Sequence, residues 1–331
     1  DDDPPPAEFH VGPGQAYATP ADIPWSVVGA GSTVYLHHRA EPYRTKLLLS
    51  NRGTPEAWIR LVGLRGPNGE RPVLDGENAT VAPGCPPYAS GTDLEDQSLI
   101  AIARDATQPA AFKPGYIELS GLELRHAAPV FPYTRKNGAA DTYSSLSGAL
   151  HLLGAEHIRV LDCEIHHNAS GLVSNEGGAT EAALVRDVLI EACHFHDHSA
   201  PGQYYGHNIR LHAAGATVQG CRLDAPLSGA NVANLRLVGS GGLIRANFID
   251  GGGSQLELTE GYGNLPVLAA EPDFGDVRVI GNLLRNATSG SGNVVHFGGD
   301  EIPGARSLHF LHNTVILSLI HISEPTRPRL I

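Results

Sequence analysis

Ile158-Arg159-Val160-Leu161-Asp162-Cys163-Glu164-Ile165 returns thirty residues later as Val188-Leu189-Ile190-Glu191-Ala192-Cys193-His194-Phe195, and then as Ala216-Thr217-Val218-Gln219-Gly220-Cys221-Arg222-Leu223. Ile117-Glu118-Leu119-Ser120-Gly121-Leu122-Glu123-Leu124 is an earlier copy, and three degenerate copies surround Asn247, Asn282 and Asn313. Aligned on the sixth position, the column reads Leu122, Cys163, Cys193, Cys221, Asn247, Asn282, Asn313, at intervals of 41, 30, 28, 26, 35 and 31 residues. A repeat of this kind decides the fold before any single segment does.

A second strand precedes each later copy: Leu150-His151-Leu152, Ile209-Arg210-Leu211, Leu235-Arg236-Leu237, Leu256-Glu257-Leu258 and Val295-His296-Phe297. Each alternates apolar, polar, apolar, the pattern of a strand with one buried face. Two or three short strands in about 30 residues, with no helical period between them, predict an all-β solenoid. Leucine-rich repeats need a tighter period, and propeller blades need four strands in about 40 residues. The expected fold is a single-stranded right-handed parallel β-helix over residues 9–316. Stacked coils set equivalent residues about 4.8 Å apart, so small Cys side chains can file inside the core and Asn can bond from coil to coil. Disulfides within the column are disfavoured, because Cβ atoms one rung apart miss the spacing of about 3.8 Å that a disulfide needs. Cys85, in Pro83-Gly84-Cys85-Pro86-Pro87, has no evident partner.

Composition agrees. The chain has 331 residues, with 39 Gly, 24 Pro, 4 Cys and no Met, which suits many short strands and turns. A formal charge of −12 argues against a nucleic-acid partner, since such proteins carry a basic face. No apolar run reaches the length of a membrane span, and the cysteines lack zinc-site spacing. Residues 1–8, opening Asp1-Asp2-Asp3-Pro4-Pro5-Pro6, are expected to form a disordered lead-in. Two polar stretches, about 77–97 and 126–147, read as loops rising off the sides of the solenoid to wall a groove. At the other end, Leu317-Ser318-Leu319-Ile320-His321-Ile322-Ser323-Glu324-Pro325-Thr326-Arg327 reads as the translation of a transposon-type sequencing adapter. Residues 317–331 are therefore expected to be non-native and the natural chain truncated, leaving an open strand edge.

The opening Phe9-His10-Val11-Gly12-Pro13-Gly14-Gln15-Ala16-Tyr17-Ala18-Thr19, with Ala30-Gly31-Ser32-Thr33-Val34, resembles the pectate-lyase-like right-handed β-helix superfamily in its bacterial exported branch. The branch's elements read here as His207-Asn208-Ile209-Arg210, Asn234-Leu235-Arg236, Leu256-Glu257-Leu258 and His296-Phe297-Gly298-Gly299-Asp300. Arg236 stands where the branch usually has Lys, and pectate lyase and polygalacturonase motifs are absent. The resemblance implies a secreted, periplasmic or cell-surface protein acting on polysaccharide.

Outward positions of the preceding strands form a ladder of His151, Arg210, Arg236, Glu257 and His296. Such a ladder suits β-elimination on a uronate polysaccharide, where a cation neutralises the carboxylate and a base removes the adjacent proton. Arg210 or Arg236 would be the cation and His296 or His151 the base, with Glu257 among the catalytic set and His207 beside the substrate. Tyr204 and Tyr205 would stack on sugar rings or protonate the leaving group. Hydrolysis would need two carboxylates, Glu257 with Glu260 or Asp300, and the arginines are expected to keep these ionised. The alternatives are a non-catalytic carbohydrate-binding or structural solenoid and a glycoside hydrolase. A second column, Arg125, His166, His196, Asp224, Asp250 and Arg285, reads first as a solvated ladder. Its central His166, His196, Asp224 and Asp250 also resemble a metal ligand list, of which two neighbouring rungs could share an ion; Asp224 and Asp250 leave a calcium site open, and the sequence names no other metal or cofactor.

Overall fold

A computed structural model describes residues 7–89, 94–174, 180–199, 206–227, 232–258, 265–287, 293–298 and 306–316. The chain coils into a parallel β-helix whose turns each contribute up to three strands. In the first strand column, Ser98–Ala103, Gly148–Leu153, Ser170–Ser174, the start of Ile209–Gln219, Ala233–Ser240, Ser254–Leu258 and Val295–Phe297 pair in parallel one after another. The second column runs from Glu8–Val11 through Gly115–Ser120, Glu156–Leu161 and Val185–Glu191 to Leu308–Leu311. The third runs from Val73–Asp75 through Glu164–His166 and His194–His196 to Thr314–Ile316. Glu8, expected in the lead-in, already pairs with Thr33.

The recurring motif is the corner between the second and third columns. Just before each Leu, Cys or Asn, the chain enters the left-handed region, at Gly121, Asp162, Ala192, Gly220, Ala246, Gly281 and His312. Four of these seven carry side chains, and an L-residue held there is strained. Stacking offsets the strain: Asp162, Ala192 and Ala246 donate their amides to Glu191, Gln219 and Ile280 of the next coil. The following column closes the corner. Asn282 Oδ1 accepts the amide of Asn247 at 2.9 Å, and Asn313 Oδ1 accepts that of Asn282 at 2.8 Å. Cys163, Cys193 and Cys221 continue the file as buried free thiols. Inside the coils Leu124, Ile165, Phe195, Leu223, Ile249 and Leu284 stack with no exposure, each burial contributing about 1.5–3 kcal/mol.

The two polar stretches are more ordered than loops. Ala79–Val81, Pro132–Thr134 and Ala140–Thr142 form a small sheet, and Thr45 and Lys46 pair with Thr80 and Val81 of it. This arm lies over the N-terminal end of the first column. Cys85, Leu94, Tyr133 and Tyr143 from it join the main hydrophobic core. Cys85 Sγ accepts the Leu48 amide at 3.0 Å, and burial pushes the thiol up to about 11. No helix among the described residues is long and apolar enough to cross a membrane.

Candidate functional site

Alternation sends every second side chain of the first column outward, and the parallel register stacks those residues. His151 pairs with Val173, Val173 with Arg210, Arg210 with Arg236, Arg236 with Glu257, and Glu257 with His296. All five ladder residues expected from sequence therefore share one face. Val173 intervenes, because Ser170–Ser174 is a strand without a charge to mark it. The ladder that remains contiguous is Arg210, Arg236, Glu257 and His296.

His151 is no surface base. It is 2% exposed, and its Nδ1 lies 3.4 Å from the Gln97 carbonyl beneath the arm. The arginines and Glu257 are half-buried and His296 is exposed. Arg236 Nε stands 3.9 Å from Glu257 Oε2, with the two side chains 11% and 18% exposed. Burial raises the Glu257 carboxyl above its ordinary value, and the opposing pull of Arg236 and His296 does not cancel it. Desolvation thus outweighs an ion pair as long as this one, and the arginines do not by themselves set the state of this carboxyl.

Sequence reasoning missed His212. It sits two residues after Arg210 in Ile209–Gln219, so it faces the same way, and it is fully buried. Neither imidazole nitrogen has a hydrogen-bond partner among the described residues. Burial, then Arg210 and Arg236, push it down to about 3, which keeps the ring neutral beside two cations. The alternation Arg210-Leu211-His212 carried the signal. Its burial depends on a separate outer cluster of Leu184, Ala214, Val238, Leu265 and Leu268, which no local pattern announces.

His207 is also placed away from the outer face. It is 1% exposed, its Nδ1 lies 3.1 Å from both the amide and the carbonyl of Ala233, and burial lowers it to about 3. Asn208 beside it donates to Asn234 Oδ1 at 2.6 Å, and Asn234 to the Gly251 carbonyl at 2.7 Å. The His-Asn and Asn-x-Arg elements thus form a second amide file at the corner leading into the first column. The role expected for His207 beside the substrate is corrected: it is a satisfied core imidazole. Tyr204, Tyr205, Glu260 and Asp300 lie outside the described residues.

On the third column, Arg125, His166, His196, Asp224, Asp250 and Arg285 do stack, and Asp75 begins the file. Asp224 accepts from Arg222 and lies 2.8 Å from His194 Nε2. Asp250 accepts from Arg285 and Asn286, both at 2.8 Å. Calcium needs six to eight oxygens, whereas these carboxylates are already engaged by cationic and amide groups. The donor set does not fit calcium. Among the described residues, donor atoms converge at Glu164, His166 and His196, and separately at Asp75, Glu77 and His126.

No family model and no curated protein matches this chain. Among solved structures, an alginate lyase from a Paenibacillus strain is similar at a TM-score of 0.51 and 12% identity, over 89% of this chain and 93% of that one. A pectate lyase aligns at a TM-score of 0.48 and 12% identity, over 95% and 78% of the two chains. A pectin methylesterase from Aspergillus niger aligns at 0.44 and 11%, over 95% and 87%. The first likeness establishes the pectate-lyase-like right-handed parallel β-helix fold and nothing finer. The other two carry no weight of their own.

Proposed function

We propose that the chain processes a uronate-containing polysaccharide by β-elimination at the outer face of the first strand column. The observation that carries this reading is the unbroken run Arg210, Arg236, Glu257, His296 on four successive rungs. Adjacent guanidiniums on one face draw anions to it, and a row of sugar carboxylates is a ligand of that charge. Arg236 and Arg210 would neutralise the substrate carboxylate and so acidify the neighbouring carbon acid. His296, exposed at the end of the run, would accept that proton; the C–H electron pair would form the double bond as the glycosidic C–O bond breaks, and the departing oxygen would take a proton from water, leaving an unsaturated sugar. Glu257, between Arg236 and His296, would orient both. His212 is too deeply buried to touch a polymer, so its part is to keep the space behind Arg210 free of further charge. A polymeric substrate places this activity outside the cell, in a secreted, periplasmic or surface setting. The alginate lyase likeness supports the reading at the level of fold.

Incubation with a panel of uronate polymers, followed by ultraviolet absorbance of the unsaturated product, tests the proposal. Absorbance should rise with the wild type and fail with Arg236→Ala while affinity persists. Binding without product on every polymer would leave the non-catalytic solenoid standing in place of the lyase. Reducing ends released without unsaturation would point instead to hydrolysis.

A further inference from the structure

The third column carries a histidine-rich face that the elimination site does not use. Glu164, His166 and His196 occupy two successive rungs, and one donor atom from each lies within 4.8 Å of the others. The imidazoles of His166 and His196 stack at 4.8 Å with only 11° between their planes. Each histidine is followed by a residue in the left-handed region, His167 and Asp197, and that turn brings the next side chain back onto the ring. His196 Nδ1 lies 2.8 Å from Asp197 Oδ2, and His166 Nδ1 lies 2.6 Å from His167 Nδ1.

A carboxylate can only accept, so His196 Nδ1 donates to Asp197, and its other nitrogen, Nε2, faces Glu164 Oε1 at 3.4 Å. His166 Nε2 faces Glu123 Oε1 at 3.2 Å, and that oxygen also accepts from Arg125 Nη1 at 3.0 Å. Between His196 and Glu164 a proton on Nε2 completes the contact, and a divalent ion can take the place of that proton while the Asp197 contact holds the ring. A carboxylate gripping the far nitrogen of a histidine is the support that metal-ligating imidazoles use. The second converging group, Asp75, Glu77 and His126, is different. Asp75 Oδ2 already accepts from Arg125 Nε at 3.0 Å, and Arg44 stands 3.6 Å from its other oxygen. That acid is neutralised by arginine and needs no ion.

We propose that Glu164, His166 and His196 bind one divalent ion of the zinc class, stapling two successive coils on the face away from the sugar site. Two imidazole nitrogens and one carboxylate suit zinc and its late transition-metal neighbours rather than calcium, which wants oxygens alone. Three protein ligands leave a fourth position for water. His194 does not join the set, because its Nε2 is committed to Asp224 at 2.8 Å. The buried cysteines do not compete for the ion.

Calorimetric titration of the chelator-treated chain with zinc chloride tests this, with circular dichroism confirming the fold of each variant. One zinc should bind per chain. His166→Ala and His196→Ala should abolish binding, Glu164→Gln and Asp197→Asn should weaken it at least about tenfold, and His309→Ala should leave it unchanged. If either alanine variant fails to fold, the isosteric Glu164→Gln and Asp197→Asn carry the test. The proposal is overturned if the wild type takes up no zinc, if uptake survives Glu164→Gln and Asp197→Asn undiminished, or if calcium binds equally well.

Discussion

The outward face of the first strand column is one surface with two characters. At its N-terminal end Leu48, Ala101, His151 and Val173 stack, and none is more than 4% exposed. At its C-terminal end Arg210, Arg236 and Glu257 are half-buried and His296 is open. The strands, their direction and their register do not differ between the ends. What differs is the cover: the arm built from residues 77–89, 94–97 and 126–147 lies over the first end and not the second. A solenoid gives every outward position the same geometry, and the segments laid across it decide which positions become core and which stay available to a ligand. Lys46 shows how complete the cover is. It has no exposure, donates to the Ser98 carbonyl at 2.6 Å, and lies 4.0 and 3.8 Å from the rings of Tyr133 and Tyr143. The corner column changes one coil later, with thiols at Cys163, Cys193 and Cys221 and amides from Asn247 onward.

The sharpest way to break this contrast is to open the covered end. Tyr143 packs on Lys46 and donates to the Gly76 carbonyl at 3.0 Å, so Tyr143→Ala should cost about 3–5 kcal/mol in urea unfolding. A loss under about 1 kcal/mol would mean that the arm adds little to the fold. Acid comes next. His207 and His212 are held near 3, against an ordinary value of 6.5. Unfolding lets both take up protons that the folded chain refuses, so their contribution is whole above 6.5 and is lost as the pH falls from there towards 3. Unfolding free energies from urea titrations should drop on the order of a few kcal/mol between neutral pH and about pH 4, and His212→Leu should flatten that limb. An unchanged slope in His212→Leu would show that this ring already titrates normally.

A smaller effect compares the two halves of the corner column. Asn282→Ala removes the acceptor for the Asn247 amide and the donor to the Ile244 carbonyl, so it should cost about 1–3 kcal/mol. Cys163→Ala removes only a small buried thiol and should cost about 1 kcal/mol. Equal losses in denaturant titrations would deny the amides their role in the stack. The smallest stability effect is expected at the open end. Arg236→Met should shift unfolding by less than about 1 kcal/mol, because its ion pair is long and partly exposed.

What was legible in the sequence follows the same line. The corner column could be read because, after Leu122, every copy places Cys or Asn at the spot where the chain leaves the left-handed region. The ladder could be read because charge alternates with Leu and Ile. Val173 escaped notice since its strand, Ser170–Ser174, is buried on both faces and shows no alternation. The burial of His151, the neutral His212 and the raised carboxyl of Glu257 were out of reach. Each depends on cover supplied by segments distant in sequence, and the repeat encodes coils but not what lies across them. The contacts of His167 and Asp197 with the preceding imidazoles depend on a left-handed turn at each residue, which the repeat does not spell out.

The central claim is that the open end of this face acts on its ligand while the covered end holds the fold. Measuring Arg236→Met for both urea unfolding and unsaturated-product formation, on the uronate polymer that the wild type cleaves, tests it most directly. We predict an unfolding midpoint close to wild type with product formation lost. Product formation at the wild-type rate, or a midpoint falling as far as that of Tyr143→Ala, would contradict it.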